Sequence, residues 1–156
     1  MYLNFAENVK ITLCYQGAAN AVACDSINME LYNHGAFVVI HTGANDTDLT
    51  LSLYEASSVA PSNTAAITTV VPIYYDINAG TTSDIVSATT AAYSYAIDPA
   101  TENGMVLIFE IDPTILTAGK PCVYLADSGG HGSNTCTILF VGEPKEKGAT
   151  LPAAIS

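Results

Sequence analysis

The chain has 156 residues, a length that suits one domain with a core of its own, and its 15 acidic against 4 basic side chains give a formal net charge of −11. Its only cations are four lysines, too few for the clustered positive face that nucleic acid or an anionic membrane surface requires, so neither is expected as a partner. Hydrophobic residues make up 49% of the chain and charged residues 12%, a balance that is neither disordered nor fibrous.

The opening MYLNFAENVK has neither the basic stretch nor the apolar run of a signal peptide. No segment approaches the ~20 apolar residues of a membrane span. Synthesis in a cytoplasm is therefore expected. Residues 1–8 show no strand alternation and carry isolated apolar side chains, Tyr2, Leu3 and Phe5, so they read as an extended N-terminal arm.

From Val9 to Tyr15 the pattern alternates as a strand, turned by QGAAN. Ser26 to Tyr32 alternates again, with Ile27, Met29 and Leu31 on one face, and NHG turns it. Ala36 to Thr42 is nearly continuous in apolar residues, as in a central strand, and Leu49 to Ala56 alternates strictly. Ala66 to Asp76 is β-rich but contains Pro72, which removes a ladder donor and points to an edge or a bulge. Ile85 to Asp98 holds one or two strands broken near Ala91, and Met105 to Asp112 is the most hydrophobic strand.

The only helical signal is DPTILTAGK: Asp112 can cap, Pro113 suits the first helical position, and Gly119 can stop the turn. CVYLA and TCTILFVG are the last two strands, and residues 143–156 form a polar C-terminal arm carrying Leu151, Pro152 and Ile155. Eight or nine short strands without a long helix predict an all-β fold. An antiparallel sandwich or barrel follows over residues 9–142 between two short extended arms; the expectation is an antiparallel β-sandwich, jelly-roll-like, although the strand count alone fits a Greek-key barrel as well.

The segment ADSGGHGSNTC (Ala126–Cys136) gathers an acid, a serine, a histidine and a thiol. Between two strands and rich in glycine, it reads as a structural hairpin tip. A Ser-His-Asp triad needs members that converge from separate elements, and Asp127, Ser128 and His131 share one loop. Counting outward from Gly129 and Gly130 places Cys122 opposite Cys136, as a cross-strand pair or a disulfide. Cys14 and Cys24, flanking a short turn, are a second expected pair of neighbours. No cysteine lies in a C-x-x-C pair, and His34, His41 and His131 show no metal-binding spacing. Asn45–Asp48 resembles the start of a calcium loop but lacks the glycine and glutamate that complete one. No catalytic, cofactor-binding or metal-ligating residue is expected. Nine tyrosines, Tyr74, Tyr75, Tyr93 and Tyr95 among them, suit a protein interface or a sugar platform.

Several segments carry a resemblance: ENVKI, INMELYNHGAFVVIHTGANDTDLTLSLYEAS, VVPIYYDIN, MVLIFEIDPTIL, CVYLADSGGHGSNTCTILFVGEP and the terminal LPAAIS. In this order the chain resembles the tailed-bacteriophage capsid decoration, or cement, proteins. The resemblance implies a non-enzymatic structural protein with no cofactor. It would sit on the outer capsid surface of the virion, bound to the major capsid protein, as a homo-oligomer, a trimer in preference to a dimer. The four cysteines depart from that family's pattern. The arms, through Tyr2, Leu3, Phe5, Leu151, Pro152 and Ile155, are expected to reach onto the shell or a neighbouring subunit. The alternative is a carbohydrate-binding or adhesin-type β-sandwich, against which the absence of tryptophan counts.

Overall fold

A computed structural model describes residues 8–77, 87–88 and 91–146. Among the described residues eleven strands form in chain order: β1 (Lys10–Ala18), β2 (Ile27–Asn28), β3 (Tyr32–Thr42), β4 (Leu49–Ala56), β5 (Ala65–Ala66), β6 (Ile73–Asp76), β7 (Ser87–Ala88), β8 (Ser94–Ile97), β9 (Met105–Ile111), β10 (Cys122–Gly129) and β11 (Thr135–Pro144). They make two antiparallel sheets. One has six strands in the order β1-β11-β3-β9-β6-β7; the other runs β2-β10-β4-β5, with β8 also paired to β4. Setting aside β5 and the β6-β7 pair, which extend the sheets at their edges, eight strands remain. Numbered afresh, they order 1-8-3-6 in one sheet and 2-7-4-5 in the other, which is the order of a jelly roll. The chain is an all-β sandwich.

The core lies between the sheets because each long strand alternates. β9 is buried at Met105, Leu107, Phe109 and Ile111, and β4 at Leu49, Leu51 and Leu53. β3 contributes Phe37 and Val39, and β11 contributes Ile138 and Phe140, all fully buried. Phe140 is the hub of the aromatic packing. Its ring meets Tyr32 edge-on at 5.0 Å and Phe37 at 5.4 Å. Gly35 and Gly142 leave room for that ring; a Cβ on Gly142 would stand 2.5 Å from both Phe140 and Tyr32.

The two ends of the sandwich are closed differently. At one end the connection from β9 to β10 folds over the core. Asp112 caps a 3-10 turn, Pro113–Ile115, by accepting from the Thr114 N–H at 2.8 Å, and Gly119 takes a positive φ of 83°. The expected helical signal is therefore this single turn. Glu55, buried at the end of β4, accepts from the Thr117 N–H at 2.8 Å and pairs with Lys120 at 3.5 Å. Burial disfavours its carboxylate, but the Thr117 and Lys120 contacts outweigh that and hold it below its ordinary pKa.

Several sequence expectations need adjustment. The strand expected from Ser26 to Tyr32 is only Ile27–Asn28, followed by a 3-10 turn at Met29–Leu31 that Asn28 caps. The run from Ala66 to Asp76 divides into β5 and β6 around Pro72, whose carbonyl still accepts from the Glu110 N–H at 3.0 Å. β11 continues past residue 142, pairing Pro144 with Tyr32, so the sandwich extends slightly into the expected C-terminal arm. The arm residues Tyr2, Leu3, Phe5, Leu151, Pro152 and Ile155 lie outside the described residues. Truncating the aromatic hub, Phe140→Ala, is expected to cost about 3–5 kcal/mol, read as a lowered urea midpoint with an unchanged slope.

Candidate functional site

The outer surface of the six-stranded sheet is the most unusual feature of the molecule. Alternation places polar residues outside in an ordinary two-layer fold, but here the outward positions are largely apolar. Register aligns them in rows. One row runs Leu13, Leu139, Val38, Ile108 and Tyr74 across five strands. A second runs Ile11, Val141, Ala36 and Glu110, and a third contains Thr137, Ile40, Val106 and Asp76. Ile11 is 55% exposed, Leu13 50% and Ile40 39%, which for large side chains is exposure without local cover. Polar groups border the rows: Thr42 and Thr135 share a hydroxyl hydrogen bond at one end, and His34 faces Glu143 in register at the other. An apolar centre inside a polar rim is the anatomy of an interface.

The segment after β10 is not the hairpin tip that the sequence predicts. β10 belongs to the five-stranded sheet and β11 to the six-stranded one, so residues 130–134 carry the chain from one layer to the other. They form a clasp over that end of the sandwich. The Gly130 N–H donates to the Asp48 carbonyl at 2.7 Å, and the Ala19 N–H donates to the Asn134 carbonyl at 2.9 Å. Asn134, 1% exposed, accepts from the Asn45 N–H at 3.1 Å and donates to the Asn45 carbonyl at 3.0 Å. Gly129 and Gly130 take φ values of 83° and 80°, and a Cβ on either would strike a backbone carbonyl, of Asp48 and Ala19 respectively.

Asp127 and Ser128 are consecutive residues of β10, so their side chains leave opposite faces of its sheet. His131 Nδ1 accepts from the Ser133 N–H at 3.1 Å, a local turn contact. Beside the clasp, Asp46, Asp48 and Asp98 bring carboxylate oxygens within 4.8 Å of one another. Asp98 also accepts from the Ala100 N–H at 3.0 Å and the Thr101 hydroxyl at 2.9 Å. This group is the one cluster among the described residues with the geometry to gather a cation. Sequence spacing missed Asp98 because it arrives from the turn after β8.

The separation of β10 and β11 also corrects the cysteine pairing. Cys122 faces Asn28 and Ala56, whereas Cys136 faces His41 and Gly17; the two thiols lie in different sheets and are not cross-strand neighbours. All four cysteines are free and buried. Cys14 and Cys24 are neighbours, as expected. A hydrogen bond with Cys24, together with burial, raises the Cys14 thiol far above its ordinary pKa. Burial, with Cys24 and Asp127 nearby, pushes Cys136 up to about 12. Such thiols are poor nucleophiles.

The tyrosines divide among separate places. Tyr75 and Tyr95, 5.8 Å apart, pack against the core, with the Tyr95 hydroxyl donating to Glu102 at 2.9 Å. Tyr54 and Tyr124 pair at 5.7 Å on the outer side of the five-stranded sheet. Tyr124 also lines a cleft of about 440 Å³, with Asp25, Asp127 and Pro61 on its walls.

His41 is fully buried and neither ring nitrogen has a hydrogen-bond partner. Burial lowers its pKa below the ordinary 6.5, so the unfolded chain takes up the proton first as pH falls. Its contribution to stability is complete above about pH 6.5 and declines as pH drops from there toward the folded value. His41→Leu is expected to remove that decline and to match or exceed the parent at pH 7, since two unpartnered polar atoms disappear; thermal unfolding between pH 5 and 7 checks both. Asn134→Ala removes both side-chain bonds to Asn45 and is expected to lose about 1–3 kcal/mol, with faster amide exchange in residues 43–48 and 129–134. Comparison with protein-family profiles, curated proteins and solved structures finds no match to this chain.

Proposed function

We propose that the chain is a non-enzymatic structural protein of a tailed-phage virion. It binds the outer capsid surface through the major capsid protein and stabilises the shell. It does so as a closed homo-oligomer, a trimer in preference to a dimer. One observation carries this reading: the broad apolar sheet face on an otherwise acidic body, a surface built for contact with protein. Two others accompany it. Within the 127–134 segment His131 accepts from the Ser133 N–H, and Gly130 and Asn134 tie the segment to Asp48 and Ala19, while the thiols are buried with raised pKa values at Cys14, Cys122 and Cys136. A shell offers repeated symmetric sites, which suits a symmetric oligomer.

A second reading is a carbohydrate-binding or adhesin-type module. The Tyr54–Tyr124 ring pair beside the acidic cleft favours it, because a ring face with carboxylates nearby can stack on a sugar and bond its hydroxyls. The two readings separate in one experiment. The purified protein is mixed with assembled shells and sedimented, and in parallel is screened against glycans with Tyr124→Ala as the control. Co-sedimentation, weakened at least tenfold by deleting residues 148–156 while the sandwich stays folded, is the expected result. Protein that remains in the supernatant, with Tyr124-dependent glycan binding, would overturn the capsid reading.

A further inference from the structure

We infer that the outer face of the six-stranded sheet is the surface through which copies of this chain associate with one another. This rests on the homo-oligomer of the proposed function and assigns its interface; because the same face meets itself, the contact is isologous and closes as a two-fold pair, which selects the dimer over the trimer.

The choice of occupant follows from charge. The chain carries −11, so two copies repel wherever their acidic surfaces meet. The Leu13–Leu139–Val38–Ile108 row and the rows beside it bring only Glu110 and Asp76 to the face, both toward its β9–β6 side. Apposed through this face, two copies keep most of their carboxylates apart, beyond the ~8 Å over which physiological salt screens them. A basic partner would gain more at the acidic ends, where Asp46, Asp48 and Asp98 gather, than on a nearly neutral sheet.

Size agrees. Five strands about 4.8 Å apart and about seven residues long give a face of roughly 600 Å² in projection, before side-chain relief is added. A standard interface occupies about 800 Å² per partner. The sheet face supplies most of that, and its polar ends supply the rim. The β-branched residues Val38, Ile40, Val106 and Ile108 are stiff at χ1, so ordering them against a partner costs little side-chain entropy.

The test is the molar mass of the full-length protein by sedimentation velocity and light scattering over about 1–100 µM. A mass of about twice 16.3 kDa is expected for the parent. Leu13→Lys with Ile40→Lys places like charges on the face of every copy and is expected to weaken association at least 100-fold, giving a monomer with an unchanged far-ultraviolet spectrum. Val70→Lys, at a 56% exposed position not on this face, is expected to leave the mass unaltered. If the double lysine variant fails to fold, Leu13→Thr with Ile40→Thr keeps β propensity and carries the same expectation at about tenfold. A parent that stays monomeric at 100 µM, or face variants that fold and associate as the parent does, would overturn the inference. Shell binding separates this result from the capsid reading. A monomer that co-sediments sinks the interface and the homo-oligomer while shell binding stands, and an oligomer that stays in the supernatant sinks shell binding while the interface stands.

Discussion

The structure depends on the placement of β11 between β1 and β3. The last strand pairs along nearly its whole length with the first on one side, from Lys10↔Gly142 to Ala18↔Thr135, and with β3 on the other, from Thr42 to Tyr32. These contacts join residues from 93 positions apart, at Thr42 and Thr135, to 132 apart, at Lys10 and Gly142, so the loop-closure cost is large and is met only when the whole sheet forms. Every outward row of the apolar face passes through β11, and so does the inner row that carries Cys136, Ile138 and Phe140. A one-residue slip of this strand would exchange the two sets, exposing Phe140 and burying Thr137. The aromatic contacts of Phe140 with Tyr32 and Phe37 are therefore register devices as much as core packing.

Once β11 is seated, the two ends of the sandwich must be closed, and each uses buried polar groups. At the clasp end Asn134 satisfies the Asn45 backbone, and the tight glycines 129 and 130 let the crossing chain lie against Asp48 and Ala19. At the opposite end Glu55 gathers the Thr117 amide and Lys120. Polar side chains buried at strand ends are costly unless bonded, and these are bonded. His41 is different: it is buried in the six-stranded sheet with both nitrogens unpartnered, so it favours the neutral ring and makes the fold sensitive to mild acid.

The distribution of charge gives the molecule a direction. Acidic groups collect at the turns, including Asp46, Asp48 and Asp98, while the six-stranded sheet turns a nearly neutral surface outward. An acidic body limits indiscriminate association, and one apolar face permits contact in a chosen orientation.

Strand identity was legible wherever a segment was long and its alternation clean. Leu49 to Ala56 and Met105 to Ile111 are strands in both the pattern and the structure, because period-two burial is a local property. The all-β class, the cap at Asp112 and the nearness of Cys14 to Cys24 were legible for the same reason: each depends on a few neighbouring residues. Partnership between strands was not. β10 and β11 adjoin in the chain and look like a hairpin, yet their inner faces bury more by joining opposite layers, and this separates Cys122 from Cys136. The apolar outer face was hidden too, since Leu13, Val38, Ile108 and Leu139 each look like ordinary strand residues until register sets them side by side. The sequence by itself determined which residues alternate and many of the places where the chain turns, although NHG, expected as a turn, runs inside β3. Only the tertiary structure decided which strands lie together, because that choice rests on long-range burial summed over the whole sandwich.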